Sequence, residues 1–474
     1  MTDPRYDALA YADYVHRDAD VAHLATVASL LGHPVAPLRG ARVLDIGCAQ
    51  GQHLLALAEL YPELEALGID PSERQIDEAR RRAERLGLKN LRFEAWPAER
   101  LLEAQEGAFD FVVCQGVYSW VSASVRQTLV EVLGRALARD GVAFLGFNTQ
   151  PGWALGQVLR HALAQYVDPS AAPARQIATA RAALGLLGQS LERTTPARAA
   201  LGAELDRALG ADPAYLFHEY LSPENHAFYR ADVVATLRAA GLNYCCDADL
   251  SGLDDRSLLD TLDVIAMRRY HSAVVVRAHH PVGAIDPERL VAMHWVTPLA
   301  LTQDITPGLV RSDSRLTFEH PDGQRITLSD VAAKALVGTL AAHRHRPLRA
   351  VDALSRAARL ADLDTPTLWR QLAPAALVTR GWLRPSVEAP RWVDAVSEHP
   401  RASALARDDA ATGRDVTTRD LRQLTLTPFE RAVLCQLDGT RDLAALWRDL
   451  APQALEGSCG DALNTFAQNA LLIG

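Results

Sequence analysis

Val43-Leu44-Asp45-Ile46-Gly47-Cys48-Ala49-Gln50-Gly51 runs from apolar residues into two glycines, and a leucine- and alanine-rich stretch, Gln52–Leu60, starts at once behind it. The β-branched and leucine side chains of residues 41–46 read as a buried strand. Gly47 and Gly51 let the backbone turn sharply and approach a ligand closely. This strand–turn–helix unit predicts the opening of a doubly wound sheet, and the pattern then repeats. Residues 64–69 form a second strand ending at Asp70, Glu73–Leu86 a strongly amphipathic helix, and residues 90–94 a third strand. Phe109–Cys114 reads as a fourth strand, residues 125–137 as a helix closed by Asp140-Gly141, and residues 142–148 as a fifth strand. Strands alternating with helices predict an α/β, Rossmann-like parallel sheet.

After Pro151-Gly152 the pattern changes. Residues 154–215 are rich in alanine, leucine and arginine at helical spacing. Residues 216–275 are mixed, next to an aromatic cluster of Tyr215, Phe217, Tyr220, Phe228 and Tyr229. Helices dominate from about residue 285, with a strand–turn–strand candidate at 315–328 turning at Pro321-Asp322-Gly323. Residues 388–420 read as irregular and polar, with a loop at 410–413. The 474 residues therefore divide into a sheet domain at 1–155, a mixed middle domain at 156–285 and a mainly helical domain at 286–474.

A net charge of −9 argues against a nucleic-acid partner, since phosphate binding wants a basic face. The local run Arg80, Arg81, Arg82 and Arg85 reads as the solvated side of a helix. Six cysteines form no CxxC pair, which predicts a reduced, cytoplasmic protein. The first 20 residues lack a basic start and an apolar run, and no stretch approaches 18 continuous apolar residues, so neither a signal peptide nor a membrane span is expected. His279-His280 and the His343/His345 pair lack metal-ligand spacing with an acidic partner, and no metal is expected.

The residues at the strand ends carry the chemistry. Asp45 stands on the strand directly before the glycine loop. A carboxylate there repels a pyrophosphate and suits a cationic sulfonium and ammonium, which favours S-adenosylmethionine (SAM) over a dinucleotide. Asp70 lies 25 residues after Asp45, where an acidic residue accepts hydrogen bonds from ribose hydroxyls; it is also placed to cap the helix that Pro71-Ser72 opens. The fourth strand ends at Gln115, followed by Gly116-Val117-Tyr118-Ser119-Trp120. Ligands in such sheets sit beyond the carboxyl ends of the strands, so Tyr118 and Trp120 are candidates to line a methyl-transfer channel; Trp120 suits core packing equally. Asn148, after the fifth strand, is a candidate to accept a hydrogen bond from an amine nucleophile, or is simply a turn residue ahead of Pro151.

The glycine loop, Gly68–Ser72, Gly116-Val117-Tyr118-Ser119-Trp120-Val121 and Asn148-Thr149-Gln150-Pro151-Gly152-Trp153 resemble the bacterial class I methyltransferases that carry a methyltransferase regulatory domain. Characterised members are the rickettsial outer-membrane-protein lysine methyltransferases. Tyr215-Leu216-Phe217-His218-Glu219-Tyr220-Leu221 resembles the start of their middle domain. Met293-His294-Trp295 and Leu437-Asp438-Gly439-Thr440-Arg441-Asp442 resemble their C-terminal region. The resemblance implies a winged-helix-like C-terminal part and methylation of lysine ε-amines of a protein or peptide. It implies that Asp45, Gly47, Gly51, Asp70 and Gln115 hold the cofactor, and that Tyr6, Tyr11 and Tyr14 lie in a segment covering it. Where the family has a central loop glycine this chain has Ala49, which fits only if the backbone there does not need a positive φ. Where an acidic residue usually follows the third strand stands Glu94-Ala95-Trp96-Pro97, so Trp96 is the candidate to stack on adenine. Two other readings stay open: a small-molecule N- or O-methyltransferase, and a SAM-binding interaction protein with weakened catalysis.

Overall fold

A computed structural model describes residues 4–11, 13–103, 106–250, 259–279, 281–320, 323–343, 346–389, 391–450 and 457–473. His280, Pro321, Asp322 and His345 lie outside these residues.

Seven strands form the central sheet: β1 (Arg42–Ile46), β2 (Glu65–Ile69), β3 (Leu91–Glu94), β4 (Phe109–Cys114), β5 (Leu137–Asn148), β6 (Leu242–Asp247) and β7 (Tyr270–Arg277). Their spatial order is β3-β2-β1-β4-β5-β7-β6. The first five are parallel, as the alternation with helices predicts. β7 then inserts antiparallel between β5 and β6, so the sheet is mixed and draws two strands from well beyond residue 155. The reason is visible in composition: Ala273–Val276 is almost wholly inaccessible and needs cover on both faces. Val43, Leu44, Phe111, Val112, Val113, Val142 and Phe144 are likewise buried and form the middle of the sheet.

The helix before β5 ends at Ala136, and β5 begins at once at Leu137. Asp140-Gly141 therefore does not close the helix. It lies within a register shift in which Phe109 pairs with Leu137 and Phe111 with Val142.

His271 on β7 is fully buried between Asp247 (2.7 Å) and Asp263 (2.8 Å). Burial pulls its imidazole down, but the hydrogen bonds and charges of the two carboxylates outweigh burial and raise it to about 9. The charged cluster ties β6, β7 and the Leu259–Ala266 helix together.

Beyond β7 the chain is mainly helical, with short antiparallel strand pairs. Leu316–Glu319 and Arg325–Leu328 pair antiparallel, as the strand–turn–strand pattern predicts. Residues 404–411, expected to lie in the irregular stretch 388–420 with its loop at 410–413, form a helix capped by Ser403, whose hydroxyl accepts from the Ala406 amide at 3.0 Å. This helix packs on Gln52–Leu60 and Glu73–Leu86, and its first amide donates to Glu59 Oε1 at 2.6 Å.

The packing overturns one expectation. Arg82, read as part of a solvated helix face, is fully buried. It pairs with Asp409 at 2.7 Å and Asp408 at 3.5 Å and donates to Gln52 Oε1. Among the described residues no helix is long and apolar enough to cross a membrane.

Candidate active site

The loop after β1 holds three residues at positive φ: Gly47 (78°), Ala49 (49°) and Gly51 (82°). At Gly47 a Cβ would collide with Val117 Cγ2, and at Gly51 it would come within 2.6 Å of the Phe93 ring. Both positions therefore need glycine for space as well as for conformation. Ala49 adopts the left-handed region in spite of its methyl, so the loop keeps its shape at a local cost. What Ala49 contributes is backbone: its amide donates to Asp70 Oδ2 at 3.2 Å. Ala49→Gly is accordingly expected to stabilise the protein by about 0.5–1 kcal/mol, a rise in melting temperature of roughly 1–3 °C, with SAM affinity retained. A lower melting temperature would show that the methyl packs usefully.

Asp70 sits at the end of β2, and its other oxygen, Oδ1, accepts from the Ser72 amide at 2.9 Å. The cap of the following helix is Ser72, not Asp70. Each carboxylate oxygen of Asp70 retains acceptor capacity, as a ribose diol requires.

Two more carboxylates converge here. Asp45 is 5 % exposed, and its carboxylate makes no hydrogen bond or ion pair among the described residues. Burial, then the charges of Asp13 and Asp70, push it up to about 7. Asp13, which the sequence did not single out, accepts from the Gln52 amide at 3.1 Å. Burial also pushes Asp13 up to about 7, against the pull of Arg82 and Arg414, and burial raises Asp70. An unpaired buried carboxylate is costly unless a cation joins it. The pocket is thus built for positive charge.

A second group stands at the carboxyl ends of β4 and β5 and the amino end of the antiparallel β7. Gln115 Oε1 accepts from the Tyr270 hydroxyl at 2.9 Å, and Gly146 leaves the room both side chains occupy, since a Cβ there would meet both. Tyr118 is buried, edge-on to Phe147 and Phe228, and its hydroxyl has no partner among the described residues. The Asn148 amide donates to Ser119 Oγ at 2.8 Å and its Nδ2 to Asn225 Oδ1 at 3.1 Å; its side-chain oxygen is left without a partner there. Trp120 keeps a buried, unpartnered indole nitrogen. Trp96 is half-buried, with the Arg100 guanidinium stacked 4.4 Å from its centroid, so one face is already covered.

The N-terminal segment lies against the π-helical turn Leu216–Tyr220. Tyr6 stacks on His218 at 4.9 Å, and Tyr11 donates to Glu219 Oε1 at 3.0 Å. Tyr14 is more exposed, edge-on to Tyr11 at 6.2 Å. Asp13, Glu219, Asn225 and Tyr270 are the residues sequence reasoning missed. Of these only Glu219 fell inside a quoted motif, and nothing local marks any of them as convergent.

A mixed 3-2-1-4-5-7-6 sheet, a positive-φ glycine loop and acidic ends on β1 and β2 define a class I SAM-dependent methyltransferase. Family profiles agree: residues 43–141 match a methyltransferase domain, residues 212–261 a predicted methyltransferase regulatory domain, and residues 398–460 the PKMT C-terminal winged helix domain. The Rickettsia prowazekii protein named "Uncharacterized protein RP028" is 34% identical over 225 residues, spanning 47% of this chain and 90% of that one. "Uncharacterized protein RP789" of the same organism is 32% identical over 247 residues, covering 52% of this chain but only 44% of its own length. The crystal structure of PKMT2 from Rickettsia typhi in complex with AdoHcy shares the fold over 98% of this chain and all of its own, with a TM-score of 0.86 at 24% identity. The chain belongs to the SAM-dependent methyltransferases that carry the methyltransferase regulatory domain.

The site fits SAM. Asp70 offers acceptors for the ribose, and the unpaired Asp45 with Asp13 offers negative charge to a cationic ligand.

Proposed function

We propose that this methyltransferase acts on lysine ε-amines of a protein or peptide. The observation that carries the reading is the pair of unspent polar groups at the carboxyl ends of β4 and β5, the Tyr118 hydroxyl and Asn148 Oδ1, on the strand ends that also carry the cofactor candidate Gln115. An amine nucleophile needs acceptors that orient its remaining N–H bonds, and water kept out of the way. Tyr118 and Asn148 supply the acceptors, Phe147 and Phe228 beside Tyr118 supply apolar walls, and Trp120, on the same turn as Tyr118, is the candidate for a third. Asp45, Asp13, Asp70, Gln115 and the backbone of Gly47, Ala49 and Gly51 hold the cofactor, with Trp96 offering its uncovered face to the adenine and Tyr14 lying in the covering segment. Bound there, SAM supplies a methyl group on a sulfonium that is already a good leaving group.

The appended residues favour a macromolecular substrate. They are joined to the cofactor loop rather than loosely tethered: Arg414 donates to Gln50 Oε1 at 2.8 Å, and Gln52 Nε2 donates to Asp409 at 3.0 Å. The match to a PKMT winged helix domain lies in this same part. Six cysteines outside any disulfide suit work in the reducing cytoplasm.

The test is mass spectrometry of lysine-bearing peptides incubated with protein and SAM. A gain of one or more methyl groups on lysine is expected, with Tyr118→Phe and Asn148→Ala each lowering kcat at least tenfold while SAM still binds. Methylation confined to small amines or phenols would replace the protein substrate with a small molecule. Full turnover in both variants would remove Tyr118 and Asn148 from the site.

A further inference from the structure

The π-helical turn Leu216–Tyr220 carries an acidic side chain that the cofactor site does not use. Such turns are rare and often mark functional positions. All five residues are buried, and Glu219 is 4 % exposed. Its Oε1 accepts from the Tyr11 hydroxyl at 3.0 Å, while Oε2 accepts no hydrogen bond among the described residues.

Cations stand near but are committed elsewhere. Arg160, on the Ala154–Leu163 helix, donates to the backbone oxygens of Glu219 (2.6 Å) and Ser222 (2.7 Å) rather than to the carboxylate. Arg269, just before β7, pairs with Glu204 at 2.7 Å. The remaining neighbours are aromatic: Tyr11 from the N-terminal segment, Tyr215 on the preceding turn and Tyr270 at the start of β7 all feel the charge of Glu219. His218 on the same turn is held by Tyr6, Tyr11 and the Leu9 carbonyl, which its Nε2 meets at 2.8 Å. Burial raises the Glu219 carboxyl to about 7, against the pull of Tyr11, Arg160 and Arg269. Asn225 links the turn to Asn148: its Nδ2 donates to the Glu219 backbone oxygen at 2.9 Å, and its Oδ1 accepts from Asn148 Nδ2 at 3.1 Å.

A buried carboxylate with one open oxygen, no paired cation and tyrosine walls is the complement of an alkylammonium. We propose that Glu219 receives the substrate's ammonium group and takes one of its protons on Oε2. The N–H bond breaks, an O–H bond forms at Glu219, and the electron pair stays on nitrogen as the lone pair that attacks the methyl carbon. Glu219 releases the proton to solvent after turnover. An ammonium with a pKa near 10.4 is inert at neutral pH until it loses that proton, and a base near 7 is well matched to the task. The inference deepens the amine-methylation reading and rests on it for the nucleophile.

The test is calorimetric titration of n-butylammonium into protein loaded with S-adenosylhomocysteine, from pH 6 to 8.5. Wild type is expected to bind more tightly as pH rises through about 7. Glu219→Gln should weaken binding at least tenfold with S-adenosylhomocysteine affinity unchanged. The Tyr11 hydrogen bond favours the ionised carboxyl, so Tyr11→Phe should move the pH midpoint upward; this decides the matter if Glu219→Gln does not fold. No binding by wild type, equal binding by Glu219→Gln, or an unmoved midpoint in Tyr11→Phe would each overturn the proposal. A Glu219-dependent butylammonium site with no methylation of any lysine peptide would instead sink the lysine reading alone.

Discussion

Arg82→Ala is expected to lower the free energy of unfolding by about 3–5 kcal/mol and to weaken SAM binding with it. Arg82 is fully buried at the junction of three parts of the chain. It belongs to the Glu73–Leu86 helix, pairs with Asp409 and Asp408 from the C-terminal part, and lies 3.9 Å from Asp13 of the N-terminal segment. Removing it strands the inaccessible Asp409 carboxylate without a cation. Burial already raises Asp409 even with Arg82 in place, so in the variant that group should fold protonated. Protonation is cheap at pH 5.5 and dear at pH 8, because the unfolded chain keeps the group ionised. The destabilisation should therefore be larger at pH 8. Urea denaturation at the two pH values checks both size and direction. Arg82→Met with Asp409→Leu, which removes charge from both sides, should recover much of the loss. A loss under 1 kcal/mol for Arg82→Ala would mean that water reaches the cluster.

Arg82 also shows where the sequence stops being legible. Four arginines within six positions of an amphipathic helix carry no local sign of which one is buried. What decides is Asp408 and Asp409, more than 320 residues later. Those aspartates lie in ALARDDAA, a helix with too little apolar stripe to be recognised, because its inward face is one leucine, Leu405, with Ala406, Ala410 and the aspartate that Arg82 neutralises. The parallel strands β1, β2 and β4 were legible for the opposite reason: each is a short, mostly apolar run that stops at or just before a glycine or an acidic residue, and the helices between them mark the alternation. β7 has such a run, but its partner β5 is more than 100 residues away, so only its apolar character could be read. The site divides in the same way. Asp45, Asp70, Gln115 and Asn148 could be placed because strand ends mark them. Asp13, Glu219 and Tyr270 reach the site only through long-range folding. Ala49 is a third kind of case: its left-handed backbone is imposed by the loop between Gly47 and Gly51, against the residue's own preference.

SAM affinity is expected to rise steeply with pH between 6 and 8, and the acidic pocket sets the sign. Asp45 and Asp13 both stand at about 7 in the ligand-free protein, raised first by burial. A cationic ligand binds best when they are ionised, so it draws both downward and releases the protons they held. Below pH 7 that ionisation must come out of the binding free energy, at about 1.4 kcal/mol per pH unit for each group. From pH 8 to pH 6 the dissociation constant should grow at least tenfold, and close to a hundredfold if both groups titrate fully. Calorimetry at pH 6 in buffers of different ionisation enthalpy should count more than one proton released per SAM bound. Asp45→Asn removes one proton from that count and flattens the profile. At pH 8 it should also weaken binding by roughly 30-fold, near the 2 kcal/mol expected of a buried charge that has lost its partner. Asp110→Asn, whose carboxylate is spent on Arg42 at the other end of β4, should leave the profile as it is. A flat profile in wild type would mean that Asp45 and Asp13 are ionised before the ligand arrives. Their closeness would then serve to hold the loop rather than to recognise charge.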